Sequence, residues 1–480
     1  MSRSARLLAA LLACFALIAS TAGTSTAATS TAGTSTAGTS TAATSTAGTA
    51  PAGHGPRNAS ERTPAAAAYT VDLTGGASGD DWSGHERVSF DNVSTEPLHE
   101  VVLRLWGNAH GGCSAPAVSV TRLVGGAEDG LSVGCTALRI ALPTPLGPGG
   151  RHTIGFDVTM RAPERTDSAD RFGRHGAYSY FGNALPVLAV RDTTGWHLDP
   201  FTDTGESFYA LAADFTVVLD HPAALGVPAT GRSSDTPGAT GRTVTTATAR
   251  QVRDFAWAAG PFDTVSGVSA GGVTINVHRT AGVGAADAQA MLATAGSALD
   301  AHSRAFGAYP YPELDAVLDD DLWFSGMEYP GFVLDRVKAT ALVHEVAHQW
   351  WYGIVGDDQY HQPWLDESFA EYATDLALGR DGAGCWSTVA WVSPRERITN
   401  GMAYWDDHPE RYETVVYDYG ACALHELRRL IGTDTMTRLL HGYAREHWYG
   451  VSSTPAFKAA AQGATAEDLT PFWAAHRIDG

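Results

Sequence analysis

Lysine is almost absent from the 480 residues: Lys338 and Lys458 are the only two. Basic residues of both kinds number 32 against 52 acidic ones, which leaves a net charge of −20. Neutralising a phosphate backbone needs clustered basic side chains, so no nucleic-acid partner is expected; amine-bearing ligands suit the charge better. Charged residues make up only 18% of the chain beside 44% apolar ones, too few for a disordered polymer. Long apolar runs are missing too. The run Leu7–Ile18 falls short of the ~20 residues that cross a bilayer, so no integral membrane segment is expected. Glutamine does not occur before Gln251, and the five cysteines never stand at Cys-x-x-Cys spacing, which argues against a zinc-knuckle scaffold.

What is present at the N-terminus has the layout of an export signal over residues 1–22: Arg3 and Arg6, the apolar run, then Ser20-Thr21-Ala22. Cys14 leaves with it. From Thr24 to Gly48 the pentapeptide Thr-Ser-Thr-Ala-Gly/Ala recurs five times. Small polar residues bury too little surface to offset chain entropy, so residues 23–66 read as a low-complexity linker. The mature protein is expected to be secreted, with its four remaining cysteines oxidised. Of three possible pairings, Cys113 with Cys135 and Cys385 with Cys422 keep each bridge inside one domain.

Between about residues 67 and 261, short stretches of alternating apolar and polar residues (Tyr69–Leu73, Val101–Trp106, Ile154–Met160, Phe215–Leu219) are separated by Gly, Pro and Asp. That pattern predicts half-buried strands of an all-β domain, an antiparallel sandwich or saddle-shaped sheet. From 262 to 480 the period becomes helical, in Ala285–Phe306, Ala339–Gly353, Leu365–Leu378 and Gly420–Ile431, with one strand near Leu314–Leu318. The acidic runs at 319–321, 357–358 and 406–407 read as solvated loops.

Chemistry concentrates in TALVHEVAHQWWY, residues 340–352, which contains His344-Glu345-x-x-His348. Residues four apart share a helix face, so both imidazoles can address one metal while Glu345 reaches a water beside it. With 18 His in the chain, the five-residue pattern arises by chance about 0.03 times. Nineteen residues beyond His348 stands Glu367, in WLDESFAEY, a third donor that leaves one tetrahedral position open. Requiring it lowers the chance expectation to about 0.001. His and Glu also lie among Val343, Val346, Ala347 and Trp350, where unpaired charge is costly unless it binds something. Glu371, one turn after Glu367, is placed to accept a hydrogen bond from a ligand histidine.

These segments resemble the aminopeptidase N group of gluzincin zinc metallopeptidases, which includes the leukotriene hydrolase that also acts as an aminopeptidase. HEVAHQWW is similar to the family's zinc helix and WLDESFAEY to its third-ligand helix. SGMEYPG (Ser325–Gly331) resembles its Gly-x-Met-Glu-Asn substrate strand, and VYDYGA (Val416–Ala421) its Tyr-x-Lys-Gly turn. The resemblance implies an N-terminal β saddle followed by a thermolysin-like α+β catalytic domain, without the family's C-terminal helical-repeat domain. It implies one Zn2+ per chain on His344, His348 and Glu367, with Glu345 as general base and Tyr417 stabilising the oxyanion. Glu328 would grip the free α-amine of a peptide substrate, with Gly326 and Met327 pairing along its backbone. Tyr329 stands where the family has Asn, Tyr419 where it has Lys, and the family's Gln-x-Glu has no counterpart upstream of Gln251. The expected activity is a zinc aminopeptidase. An endopeptidase or epoxide hydrolase on the same metal site, or a peptide-binding protein without turnover, are the competing expectations.

Overall fold

The computed structural model describes residues 62–165 and 171–479. The export signal and most of the linker lie outside them. The first strand, Ala65–Gly75, begins two residues inside the segment read as linker, and Thr63 already donates its N–H to the Arg191 carbonyl at 2.8 Å.

Strand alternation places one residue in two on the apolar face, and the burial of Tyr69, Val71 and Leu73 follows it. This strand lies inside a seven-stranded sheet that is mixed where an antiparallel one is expected: it runs parallel to Ala213–Pro222, far along the chain, and antiparallel to its neighbour Asp81–Asp91. A four-stranded sheet built on Leu98–Arg104 and Ala137–Leu146, a three-stranded one on Phe172–His175, Tyr178–Phe181 and Trp257–Ala259 and a two-stranded one of Arg191–Asp192 and Gly195–Trp196 complete the β-rich part. Aromatic side chains fill the space between: Phe181 stacks on Trp257 at 4.6 Å and Trp82 meets Trp257 edge-on at 6.0 Å.

A five-stranded sheet opens the helical part, in the order Asp263–Val268, Thr274–Arg279, Glu313–Leu318, Phe332–Asp335, Gly326–Met327. The last of these is an edge strand, held antiparallel to Phe332–Asp335 alone among the described residues. Helix Ala285–Phe306 packs against this sheet and against the helix Ala339–Ala347. No described helix is long and apolar enough to cross a membrane.

Two further expectations need correction. The apolar period predicts a helix through Gly353, but the helix stops at Ala347 and the chain turns sharply, with Tyr352 at φ 136°. Trp350, Trp351 and Tyr352 are all buried after the turn, and packing three consecutive aromatics outweighs continuing the helix. The acidic runs are not all solvated either: Asp319, Asp357 and Asp358 are buried. Asp319 is held by the Tyr180 hydroxyl at 2.5 Å.

Arg253, itself buried, crosses from the β-rich part to the turn after the helix. Its guanidinium donates to the carbonyls of Tyr352 (2.7 Å), Ala210 (3.0 Å), Ile354 (3.2 Å) and Gly450. Two disulfides form, Cys113–Cys135 and Cys385–Cys422.

Candidate metal centre and active site

His344 occupies the last turn of the helix Ala339–Ala347 and His348 caps its C-terminus. Glu367 opens the facing helix Glu367–Ala377, whose N-cap Asp366 accepts the Glu367 N–H at 2.8 Å. The three donor atoms converge: His344 Nε2 and His348 Nε2 lie 3.2 and 3.3 Å from Glu367 Oε2 and 3.0 Å from each other. Ligands at about 2.0–2.1 Å from a tetrahedral zinc stand about 3.3–3.4 Å apart, so the set fits that ion.

The other ring nitrogens fix the tautomers. His344 Nδ1 faces Glu371 Oε2 at 3.1 Å and His348 Nδ1 faces the Trp351 carbonyl at 2.9 Å. Both acceptors call for a proton on Nδ1, which turns the Nε2 lone pairs inward. Burial opposes charge on the two rings, but Glu367 outweighs it and favours the protonated forms. Two Nε2–H groups cannot face each other at 3.0 Å, so a cation suits the centre better than two protons.

Glu345 is buried beside the donors, and burial, with Glu328 next, pushes its carboxyl well above the usual range. Its place depends on a glycine: a Cβ on Gly326 would come within 2.1 Å of Glu345 Oε1. Glu328, 4% exposed, follows on the same segment, and its carboxyl is pushed up to about 7 by burial and by Glu206 and Glu367, against His348 and Arg171. The Gln359 amide approaches Glu328 Oε1 at 3.4 Å and donates to Asp366 Oδ2 at 2.8 Å.

Tyr417 stacks on the His344 ring at 5.7 Å, with the planes 10° apart. It projects from a π-helix, Glu413–Tyr419, whose Val416 carbonyl accepts from Ser368 Oγ at 2.5 Å. A Cβ on Gly420 would lie 1.9 Å from that Oγ, so the glycine lets the turn seat against the Glu367 helix. Tyr419, in place of the family's lysine, hydrogen-bonds Ala390 instead of entering the centre.

The structure therefore brings His344, Glu345, His348, Glu367, Glu371, Glu328 and Tyr417 together, with Gly326 and Met327 forming the edge strand beside them. It also adds residues that motif spacing does not reveal. Glu206, from the β-rich part, raises Glu328 electrostatically and pairs with Arg171 at 2.9 Å. One signal was present in the sequence: a lone carboxylate in Gly-Glu-Ser-Phe-Tyr, residues 205–209, just before a core strand. A further convergence of His197, Asp199 and His361 differs in kind. Both ring nitrogens of each histidine already face carboxylates, Asp192 and Asp358 for His197, Asp358 and Asp199 for His361. It is an ion-pair latch between the two parts.

Two helices presenting His-Glu-x-x-His and a distant Glu define a zinc metallohydrolase centre of the gluzincin kind. Residues 291–476 match the peptidase family M1 domain. That region is thus similar to the catalytic domain of the aminopeptidase N-like zinc metallopeptidases. The chain is 24% identical over 250 residues to aminopeptidase M1-B of Oryza sativa subsp. japonica, covering 45% of this chain and 28% of the relative. It is 23% identical over 192 residues to aminopeptidase N of Streptomyces lividans, covering 34% and 22%. The matched part thus spans about a quarter of the length of these relatives. The fold is similar to an M1 zinc metallopeptidase from Deinococcus radiodurans, with a TM-score of 0.69 at 20% identity over 86% of this chain and 93% of that one.

Proposed function

We propose that the protein is a secreted zinc aminopeptidase that removes N-terminal residues from peptides, with residues 262–480 as a thermolysin-like catalytic domain and one zinc per chain. The observation that carries this reading is the convergence of three inward-facing donor atoms 3.0–3.3 Å apart, backed by the buried carboxylates Glu328 and Glu206. His344, His348 and Glu367 would hold the zinc, which supplies a Lewis acid for the scissile carbonyl and lowers the pKa of water toward neutrality. Glu345 takes a proton from the attacking water and returns it to the leaving amine. The Tyr417 hydroxyl donates to the carbonyl oxygen as charge develops there. Its own proton is firmly held, since burial and then Glu367 push the phenol well above its usual value.

Glu328 and Glu206 receive the substrate's ammonium group, and the open edge of Gly326–Met327 pairs with its backbone. An ammonium bound there sets the first peptide bond over the centre and leaves no room for residues upstream. Export is supported by the N-terminal signal layout and by the two disulfides. The test is hydrolysis of a panel of peptides with free and N-acetylated termini, before and after chelation and zinc repletion. Free termini should be strongly preferred, and activity should vanish and return with zinc. Equal rates on acetylated peptides would refute the aminopeptidase reading.

A further inference from the structure

We propose that Arg171 is the positioning residue of the amine pocket: it holds Glu206 against the substrate strand, so that Glu206 and Glu328 face one substrate ammonium together. The inference rests on Glu206 and Glu328 being the ammonium acceptors.

One guanidinium joins the two sides of the pocket. Arg171 Nη2 donates to Glu206 Oε1 at 2.9 Å, and Arg171 Nε lies 3.0 Å from the sulfur of Met327, the residue before Glu328. The Arg171 Cζ lies 4.7 Å from the centroid of the Phe324 ring, a cation–π contact. Side-chain exposure is 13% for Arg171 and 9% for Glu206, so the pair is shielded from water. Burial already raises the Glu206 carboxyl with the arginine in place; without it the buried group would face Glu328 and Glu367 with its paired cation gone. Protonation would then be favoured, and a neutral carboxyl attracts an ammonium weakly.

The arginine is itself placed by a hairpin. Its carbonyl accepts from the Gly182 N–H at 3.1 Å, closing Phe172–His175 against Tyr178–Phe181. A Cβ on Gly182 would meet the Tyr329 hydroxyl at 1.9 Å, and that hydroxyl donates to Asn183 Oδ1 at 2.9 Å. Tyr329, the departure from the family's asparagine, thus ties the hairpin that delivers Arg171 to the strand that carries Glu328.

The experiment uses zinc-loaded protein and two readouts. In calorimetry on the Glu345→Gln background, L-leucinamide and N-acetyl-L-leucinamide report how strongly a free amine is preferred without turnover. Arg171→Gln should cut that preference at least 10-fold, and Arg171→Lys should recover part of it, since one ammonium cannot span both Glu206 and Met327. In kinetics, Arg171→Gln should raise KM for free-amine peptides at least 10-fold with kcat within about threefold and zinc content unchanged. The double variant Arg171→Gln with Glu206→Gln should be no worse than Glu206→Gln alone, because the arginine acts through that carboxylate. Unchanged amine preference in either Arg171 variant, or additive losses in the double variant, would overturn the proposal. Should Arg171→Gln fail to fold, Arg171→Lys carries the same comparison. An unmodified protein that fails to distinguish the two leucinamides would refute the aminopeptidase reading itself, a separate outcome.

Discussion

Gly326→Ala separates chemistry from stability more cleanly than removing a catalytic group does. The added methyl would stand 2.1 Å from Glu345 Oε1, 2.4 Å from Cδ and 2.7 Å from Cγ. Carbon and oxygen do not approach that closely, so the Glu345 carboxyl must retreat by on the order of 1 Å. Displacement of that size costs about 100-fold in rate, equivalent to roughly 2.7 kcal/mol on the barrier. Folding should be spared. Gly326 is not among the residues with positive φ, so alanine suits its backbone, and the atoms displaced are the tip of a flexible side chain. Steady-state kcat/KM on a free-amine peptide, zinc content by mass spectrometry and a thermal melt would be measured together. The expected result is a fall of about 100-fold with full zinc and a Tm within a few degrees of the unmodified protein. Retention of kcat/KM within threefold at full zinc occupancy would show that Glu345 is not confined by the strand, and the reasoning would fail.

Other perturbations address the support around the centre and the β-rich core. Glu371→Gln removes the carboxylate facing His344 Nδ1 and should weaken zinc affinity by about 10- to 100-fold in a chelator competition, with the Glu367 helix intact by circular dichroism. Glu86 is wholly buried with both carboxylate oxygens unpartnered, and burial raises its pKa well above 4.5. The folded state therefore binds the proton more tightly than the unfolded one, and its stability falls as pH rises above about 4.5. Glu86→Gln should gain Tm relative to the unmodified protein between pH 5 and pH 8, and a constant difference would contradict the sign. Replacing Cys385 and Cys422 by serine opens a closure of 37 residues and should lower the unfolding free energy by about 4 kcal/mol on the chain-entropy scale, measured by denaturant titration.

How much could be read in advance depended on how far along the chain the partners lay. His344, Glu345 and His348 fall on one helix and Glu367 follows within two dozen residues, so helix geometry alone placed them. Glu371 was legible for the same reason, one turn on. Glu86 is legible from strand alternation alone, since the period from Trp82 through Val88 to Phe90 puts it on the apolar face. Tyr417 needed the resemblance, because a π-helix has no periodic signal of its own. Glu206 and Arg171 lie more than 120 residues before Glu328, in segments outside its sheet, and only tertiary packing between the parts brings them to it. No local pattern encodes that approach. The early end of the His344 helix was hidden because Trp350 and Trp351 fit a helical stripe as well as they fit the turn that buries them.

Arg253 bears on how the molecule comes apart. A guanidinium that spends its donors on the carbonyls of Ala210, Tyr352, Ile354 and Gly450 ties three distant stretches of chain to one charge. Separating the β-rich part from the helical part would strand that charge away from both water and its dipoles until the whole seam had opened. Partial opening is therefore costly, and the two parts are expected to melt as a single cooperative unit, which coincident near- and far-ultraviolet circular dichroism transitions would check. On that expectation the candidate metal centre is lost together with the rest of the fold and not ahead of it.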